Sequence, residues 1–130
     1  SGHIGAMGFC IGGHLAFRAA LQPEVEATAC FYATDLHTTV IPNKPNQHSM
    51  DRLKDIKGEL LMIWGKQDNH IPDAGRKEVY EKMLEAKLTF TWHEFNGQHA
   101  FMRDEGERYD PELALLGYEL ALKLFQRKLA

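Results

Sequence analysis

Apolar positions along this chain alternate between short continuous runs and helix-spaced stripes. The first run, Ile4 to Phe9, reads as a strand. Ile11 to Leu21 follows as a helix carrying Leu15, Ala16, Phe17, Ala19 and Ala20, stopped by Gln22-Pro23. Val25 to Tyr32 is a near-continuous apolar run of strand length, the pattern of a strand buried on both faces of a parallel sheet. Asp35 to Ser49 reads as loop, punctuated by Pro42 and Pro45 with Asn43 and Asn46, and Met50 to Leu53 as one short helical turn. Glu59 to Trp64 is the next strand, ended by Gly65.

Ala74 to Ala86 has the spacing of an amphipathic helix. It sets Val79, Met83 and Leu84 on one side and Arg76, Lys77, Glu81, Lys82 and Glu85 on the other. Leu88 to Phe95, rich in threonine and aromatics, is a strand closed by the turn pair Asn96-Gly97. Pro111 opens a long C-terminal helix. Its Leu113, Leu116 and Leu120 stand beside a second stripe of Leu115, Tyr118, Leu122, Phe125 and Leu129, which predicts a wide buried face.

Strands separated by helical crossovers predict an α/β fold, a parallel sheet of about four strands with flanking helices. Reactive groups in such sheets gather on the loops past the carboxyl ends of the strands. Three of those loops carry candidates here: Cys10 after the first strand, Asp68 after the third and His99 after the fourth.

Size and composition narrow the possibilities further. A chain of 130 residues is enough for one domain, residues 1–130, with a real core. A formal net charge of −3 argues against nucleic acid or an anionic membrane surface as partner. No apolar run reaches the length of a membrane span, so no membrane partner is expected. Two cysteines, Cys10 and Cys30, make no disulfide framework, so the expected compartment is reducing and the location cytoplasmic.

The stretch Gly8-Phe9-Cys10-Ile11-Gly12-Gly13 joins an apolar strand to an apolar helix through a glycine turn with a reactive side chain at its apex. That is the build of a nucleophile elbow, G-x-S-x-G, with Cys in place of Ser. Glycines at 8 and 12 are expected to relieve the Cβ clash of the bend. The N-terminus of the following helix favours the thiolate of a cysteine so placed. A buried, inert Cys in such a turn is common, however, and the choice turns on whether an acid and a histidine follow.

Asp68 lies in Gly65-Lys66-Gln67-Asp68-Asn69-His70-Ile71-Pro72, where a carboxylate past a strand end can orient a histidine. Alone it would read as a cap ahead of Pro72. His99, in Asn96-Gly97-Gln98-His99-Ala100-Phe101, is placed for a general base reaching back to the elbow. Alone it would read as an exposed loop histidine. Nucleophile, acid and histidine nevertheless fall in α/β-hydrolase order, each at a strand end, and the joint reading is preferred.

The rival candidates are weaker. The only serines, Ser1 and Ser49, lack a glycine elbow. His14, one helical turn past Cys10, is expected in a structural hydrogen bond, Cys30 in the core, and Trp64 and Trp92 in packing. A metal site from His93 and His99, or from His70 and Asp68, lacks ligand spacing and partners, so no metal is expected. Arg103 sits in a run of alternating charge; the residues alone leave it either a solvated side chain or a carboxylate-binding group in the pocket of His99.

With Cys in the elbow, then Asp68 and His99, the chain resembles the dienelactone hydrolase family of the α/β-hydrolase superfamily. The firmest pieces are Gly8 to Gly13, Trp64-Gly65-Lys66-Gln67-Asp68 to Pro72, and Asn96 to Phe101 with the arginine at 103. The resemblance implies Cys10 as nucleophile, Asp68 as orienting acid, His99 as base and Arg103 as the substrate-carboxylate arginine. It also implies hydrolysis of a small-molecule ester or lactone with neither metal nor organic cofactor. The backbone N–H of Ile11 would be one oxyanion donor, its partner belonging to a loop that precedes the elbow in the family. Members of the family carry an N-terminal half ahead of the elbow, so this chain is expected to correspond to the C-terminal half of the fold. An elbow strand left at the sheet edge would then pair with its counterpart in a second copy, giving a homodimer. The alternative expectation is a catalytically impaired half that serves as a structural or oligomerisation module.

Overall fold

The computed structural model describes residues 2–38, 40–41 and 44–130, with backbone alone for 40, 41 and 44–47. A four-stranded parallel sheet, built from β1 (Ile4–Phe9), β2 (Val25–Phe31), β5 (Glu59–Gly65) and β6 (Phe90–Phe95), lies at its centre in the order β1-β2-β5-β6. Helix α1 (Ile11–Ala19) leads from β1 towards β2, α2 (Asp73–Glu85) joins β5 to β6, and α3 (Pro111–Leu129) closes the chain. Among the described residues no helix is long and apolar enough to cross a membrane.

The two inner strands are the apolar ones, as burial on both faces demands. Ala27, Ala29, Phe31, Leu60, Met62 and Ile63 are fully enclosed. The register pairs Phe9 with Phe31, Phe31 with Ile63, and Gly65 with Phe95, which aligns the carboxyl ends of the four strands along one edge. The loops bearing Cys10, Asp68 and His99 all leave from that edge.

Four stretches differ from the sequence expectation. The segment read as loop holds a small antiparallel ladder of β3 (Val40–Ile41) and β4 (Lys44–His48). Pro42 and Asn43, which punctuate it in sequence, lie outside the described residues. The turn expected at Met50 is a 3-10 segment, Ser49–Asp55, kinked at Arg52. In α2 the sides are partly exchanged, with Arg76 buried and Leu84 about half exposed. Arg76 tolerates burial because its guanidinium donates to Ile71 O at 3.2 Å and to Asp73 Oδ1 at 2.5 Å, with Glu94 Oε1 3.4 Å from its Nε.

The largest difference is in α3. Its buried stripe is Ala114, Gly117, Ala121 and Leu124, while Leu115, Leu116, Tyr118 and Leu122 are exposed. Small residues bring the helix close to the sheet. A Cβ on Gly117 would come within 2.8 Å of the Met102 side chain and 3.2 Å of Phe31. The helix starts as the sequence suggests, with Pro111 in its first turn and the Asp110 carboxylate accepting from Leu113 N–H at 3.1 Å.

Among the described residues strand β1 ends the sheet, bonded to β2 on one side only. Beside it Ile4, Met7, Ile11 and Leu15 are exposed.

Candidate active site

Cys10 sits where β1 meets α1, and its backbone is the strained element of the site. With φ 56° and ψ −124° it holds a conformation that residues with a Cβ seldom adopt. Hydrogen bonds fix that bend: Cys10 N–H donates to Phe31 O at 3.1 Å, and Cys10 O accepts from Gly13 and Thr34 N–H. The glycines divide the work differently from expectation. A Cβ on Gly8 would lie 1.9 Å from Gly12 O, and one on Gly13 would meet the end of β2 at 3.0 Å. Gly12 itself has open space where its Cβ would be. The close approach therefore needs glycine at 8 and 13, not at 12.

The other two loops are held together by their backbones. Gln67 N–H donates to Gly97 O at 3.0 Å and Lys66 N–H to Phe95 O at 2.7 Å. Such proximity requires Gly65, whose Cβ would fall 2.4 Å from Gly97 O. This stitch delivers Asp68 and His99 to one another. His99 Nδ1–H donates to Asp68 Oδ2 at 2.7 Å, with both side chains almost wholly enclosed. The second carboxylate oxygen, Oδ1, accepts from His70 N–H at 2.8 Å.

The far nitrogen of the ring, His99 Nε2, lies 3.1 Å from Cys10 Sγ. Cys10, His99 and Asp68 thus form one continuous hydrogen-bonded chain. Burial alone would lower the proton affinity of His99. The hydrogen bonds to Asp68 and Cys10 and the negative charges they bring outweigh it, and the pKa rises from 6.5 to about 9. The ring therefore keeps its proton at neutral pH beside Cys10 Sγ, and Cys10 itself caps the N-terminus of α1. Ile11 opens that helix, so its N–H has no intrahelical acceptor and stands directly after the sulfur-bearing residue.

A cavity of about 340 Å³ opens beside Cys10, lined by Phe9, Tyr32, Ala100, Met102, Arg103, Asp104 and Tyr118. Arg103 is exposed at its rim, carried there by a turn in which its N–H donates to Ala100 O at 3.1 Å. Asp104, its neighbour in the chain, shares that rim.

Two aromatic neighbours were given no part in this site from sequence, where His70 was weighed only as a metal ligand beside Asp68. Tyr32, at the end of β2, meets the His99 ring edge-on at 5.2 Å, and burial followed by the nearby Cys10 charge pushes its phenol up. His70 packs on the same ring at 4.3 Å. Only their places past strand ends could have marked either one. The rival residues have structural settings. His14 is enclosed, its Nδ1 2.8 Å from Thr34 O and its Nε2 2.5 Å from Ser49 Oγ. Burial raises the pKa of Cys30 in the core, and Trp64 and Trp92 pack 5.1 Å apart. Among the described residues no three His, Cys, Asp or Glu side chains gather as a metal site would require.

A parallel sheet with helical crossovers, its strand-to-helix cysteine and acid and histidine loops along one edge, defines the α/β-hydrolase class. Comparison with known proteins narrows this: the family model described as "Dienelactone hydrolase family" matches residues 1–129, and the chain belongs to that family. A Saccharomyces cerevisiae protein named "Putative carboxymethylenebutenolidase" is 35% identical over 132 aligned residues, 97% of this chain and 48% of its own length. The carboxymethylenebutenolidase of Pseudomonas putida is 27% identical, covering 94% of this chain and 48% of its own. The chain spans about half the length of the curated relatives it matches. Among solved structures, a Klebsiella pneumoniae protein described as "Putative Dienelactone Hydrolase" superposes with a TM-score of 0.84 at 24% identity, over 94% of this chain and 51% of that one. An acylaminoacyl peptidase from Pyrococcus horikoshii gives 0.78 at 19% identity, over 98% and 24%. These two likenesses speak for the fold.

Proposed function

We propose that this chain carries the nucleophile, acid and base of an ester or lactone hydrolase acting through an acyl-cysteine. The observation that supports the reading best is the unbroken chain from Cys10 Sγ through the His99 ring to Asp68, at 3.1 and 2.7 Å. The Cys10 thiolate attacks the carbonyl carbon, and the oxyanion forms beside the Ile11 N–H. Collapse breaks the bond to the alcohol oxygen, which leaves with the proton held on His99 Nε2. In a lactone that alcohol stays tethered to the acyl group. Water then attacks the thioester, His99 accepts its proton, and the thiolate departs. Asp68 keeps the imidazole in its productive tautomer and balances its charge throughout.

Arg103, at the mouth of the cavity, would bind a carboxylate elsewhere on the substrate through its planar fork of donors. A small carboxylate-bearing ester or lactone suits a cavity with largely apolar walls and the Arg103 guanidinium at a rim it shares with Asp104. The test is hydrolysis of p-nitrophenyl acetate by the wild-type chain and by Cys10→Ala. Loss of turnover in the variant supports the assignment, and equal rates overturn it.

A further inference from the structure

His99 needs two things to serve as base. Its Nδ1 must face Asp68, and its ring plane must point Nε2 at Cys10. The two hydrogen bonds and the attachment to Cβ set the mean plane of the ring, and the groups packed against it limit how far it librates about that plane. Two rings do so: Tyr32, enclosed at 1% exposure, and His70, which is exposed. The imidazole is thus packed by one enclosed ring, Tyr32, and by one surface ring, His70.

His70 is tied to the same carboxylate by another route. Its N–H donates to Asp68 Oδ1 at 2.8 Å while Oδ2 receives the His99 proton, so one short loop anchors both the acid and the covering ring. The ring centroids of His70 and His99 are 4.3 Å apart with the planes 44° from parallel, close enough for the electron-rich face of one to meet a charged partner. A ring there also keeps water from the Asp68–His99 bond and so preserves its electrostatic strength.

We propose that His70 is a positioning residue for the reaction. Its ring packs against the His99 imidazole, limits libration about the plane in which Nε2 meets Cys10 Sγ, and steadies the imidazolium once it forms. The proposal rests on the Cys10–His99 pairing of the preceding subsection. The titratable groups around this ring are His99 from the loop after β6 and Asp68 from its own loop, with Cys10 beyond them on the elbow. The backbone N–H that serves Asp68 survives replacement by alanine, glutamine or phenylalanine, so these variants at 70 alter the side chain alone.

The test is the pH dependence of Cys10 alkylation by iodoacetamide in wild type, His70→Ala, His70→Gln and His70→Phe, with His99→Ala as control and a thermal midpoint for each. The ringless variants are expected to react about two- to fivefold more slowly near neutral pH, with the profile displaced upward. Phenylalanine, a ring without a titratable nitrogen, is expected to restore most of the rate. Glutamine provides the ringless comparison should alanine unfold the loop. Profiles of the ringless variants that overlay wild type would overturn the proposal, as would a phenylalanine variant as slow as glutamine. Wild type no faster than His99→Ala would instead remove the pairing itself, and the role of His70 with it.

Discussion

Replacing Asp68 by asparagine removes one negative charge from a bond of 2.7 Å while keeping the shape of the side chain. The structure sets the size of the effect. His99 is held at about 9 against an ordinary 6.5, a gap of about 2.5 units or roughly 3 kcal/mol. Burial opposes that rise, and only Asp68 and Cys10 drive it. With asparagine at 68, burial still acts, the Asp68 charge is gone, and an amide N–H faces the Nδ1 position and favours the wrong tautomer. Assigning Asp68 about half or more of the rise gives a loss of about 1–2 units, which changes the amount of His99 imidazolium by about twofold or less near pH 7 but lowers it about 5- to 50-fold by about pH 9.

The sign follows from which form each group stabilises. A raised His99 pKa keeps its proton as pH climbs past 6.5 towards 9, so a positive charge stands beside Cys10 Sγ through that window. In Asp68→Asn the ring deprotonates earlier, that charge is lost at lower pH, and the onset of Cys10 reactivity moves upward. The assay is the second-order rate of iodoacetamide alkylation across about pH 6 to 9, with the site confirmed by peptide mass. Rates for Asp68→Asn within about twofold of wild type throughout that range would refute the reasoning, since a coupling of this size cannot be hidden there.

Three further outcomes follow from the same geometry. Gly8→Ala, whose Cβ would lie 1.9 Å from Gly12 O, is expected to cost at least about 3 kcal/mol in urea unfolding, whereas Gly12→Ala, with open space at its Cβ, is expected to cost nothing or to stabilise by about 0.5–1 kcal/mol. Arg103→Gln is expected to raise KM about 10-fold or more for a carboxylate-bearing ester while leaving a neutral ester nearly unchanged, and equal effects on both would place Arg103 outside the substrate contact. Because β1 ends the sheet beside exposed Ile4, Met7, Ile11 and Leu15, we propose that two copies of this chain pair β1 to β1; a sedimentation dilution series should show dimer dissociating to monomer, and Met7→Lys should weaken it, whereas monomer throughout would refute the pairing.

The sheet was legible because its strands are nearly pure apolar runs. Val25 to Tyr32 and Glu59 to Trp64 can hardly be placed anywhere but between neighbours. The site was legible because its residues follow strand ends in a fixed order, and the register then brings those ends together. The long C-terminal helix was legible as a helix but not in its orientation. Leucine stripes show that a helix is amphipathic; they do not show which stripe is covered. Close packing on β2 selected the small residues Ala114, Gly117 and Ala121 together with Leu124, and left Leu115, Leu116 and Leu122 outside. Arg76 was read as solvent-facing because charge alone says so. Its burial depends on Asp73, Glu94 and the Ile71 carbonyl converging on it, a three-way meeting that no local pattern encodes. The pairing of His70 with His99 was invisible for the same reason, since its partner lies on another loop.

The most direct measurement is intact-protein mass spectrometry after a brief exposure to p-nitrophenyl acetate and an acid quench, with the modified residue located by peptide mapping. An acetyl group on Cys10 that forms within the mixing time and decays on further incubation, and that fails to accumulate at that rate in His99→Ala, is the expected result. Absence of any adduct on Cys10, or an adduct forming equally fast without His99, would contradict the assignment of this pair as nucleophile and base.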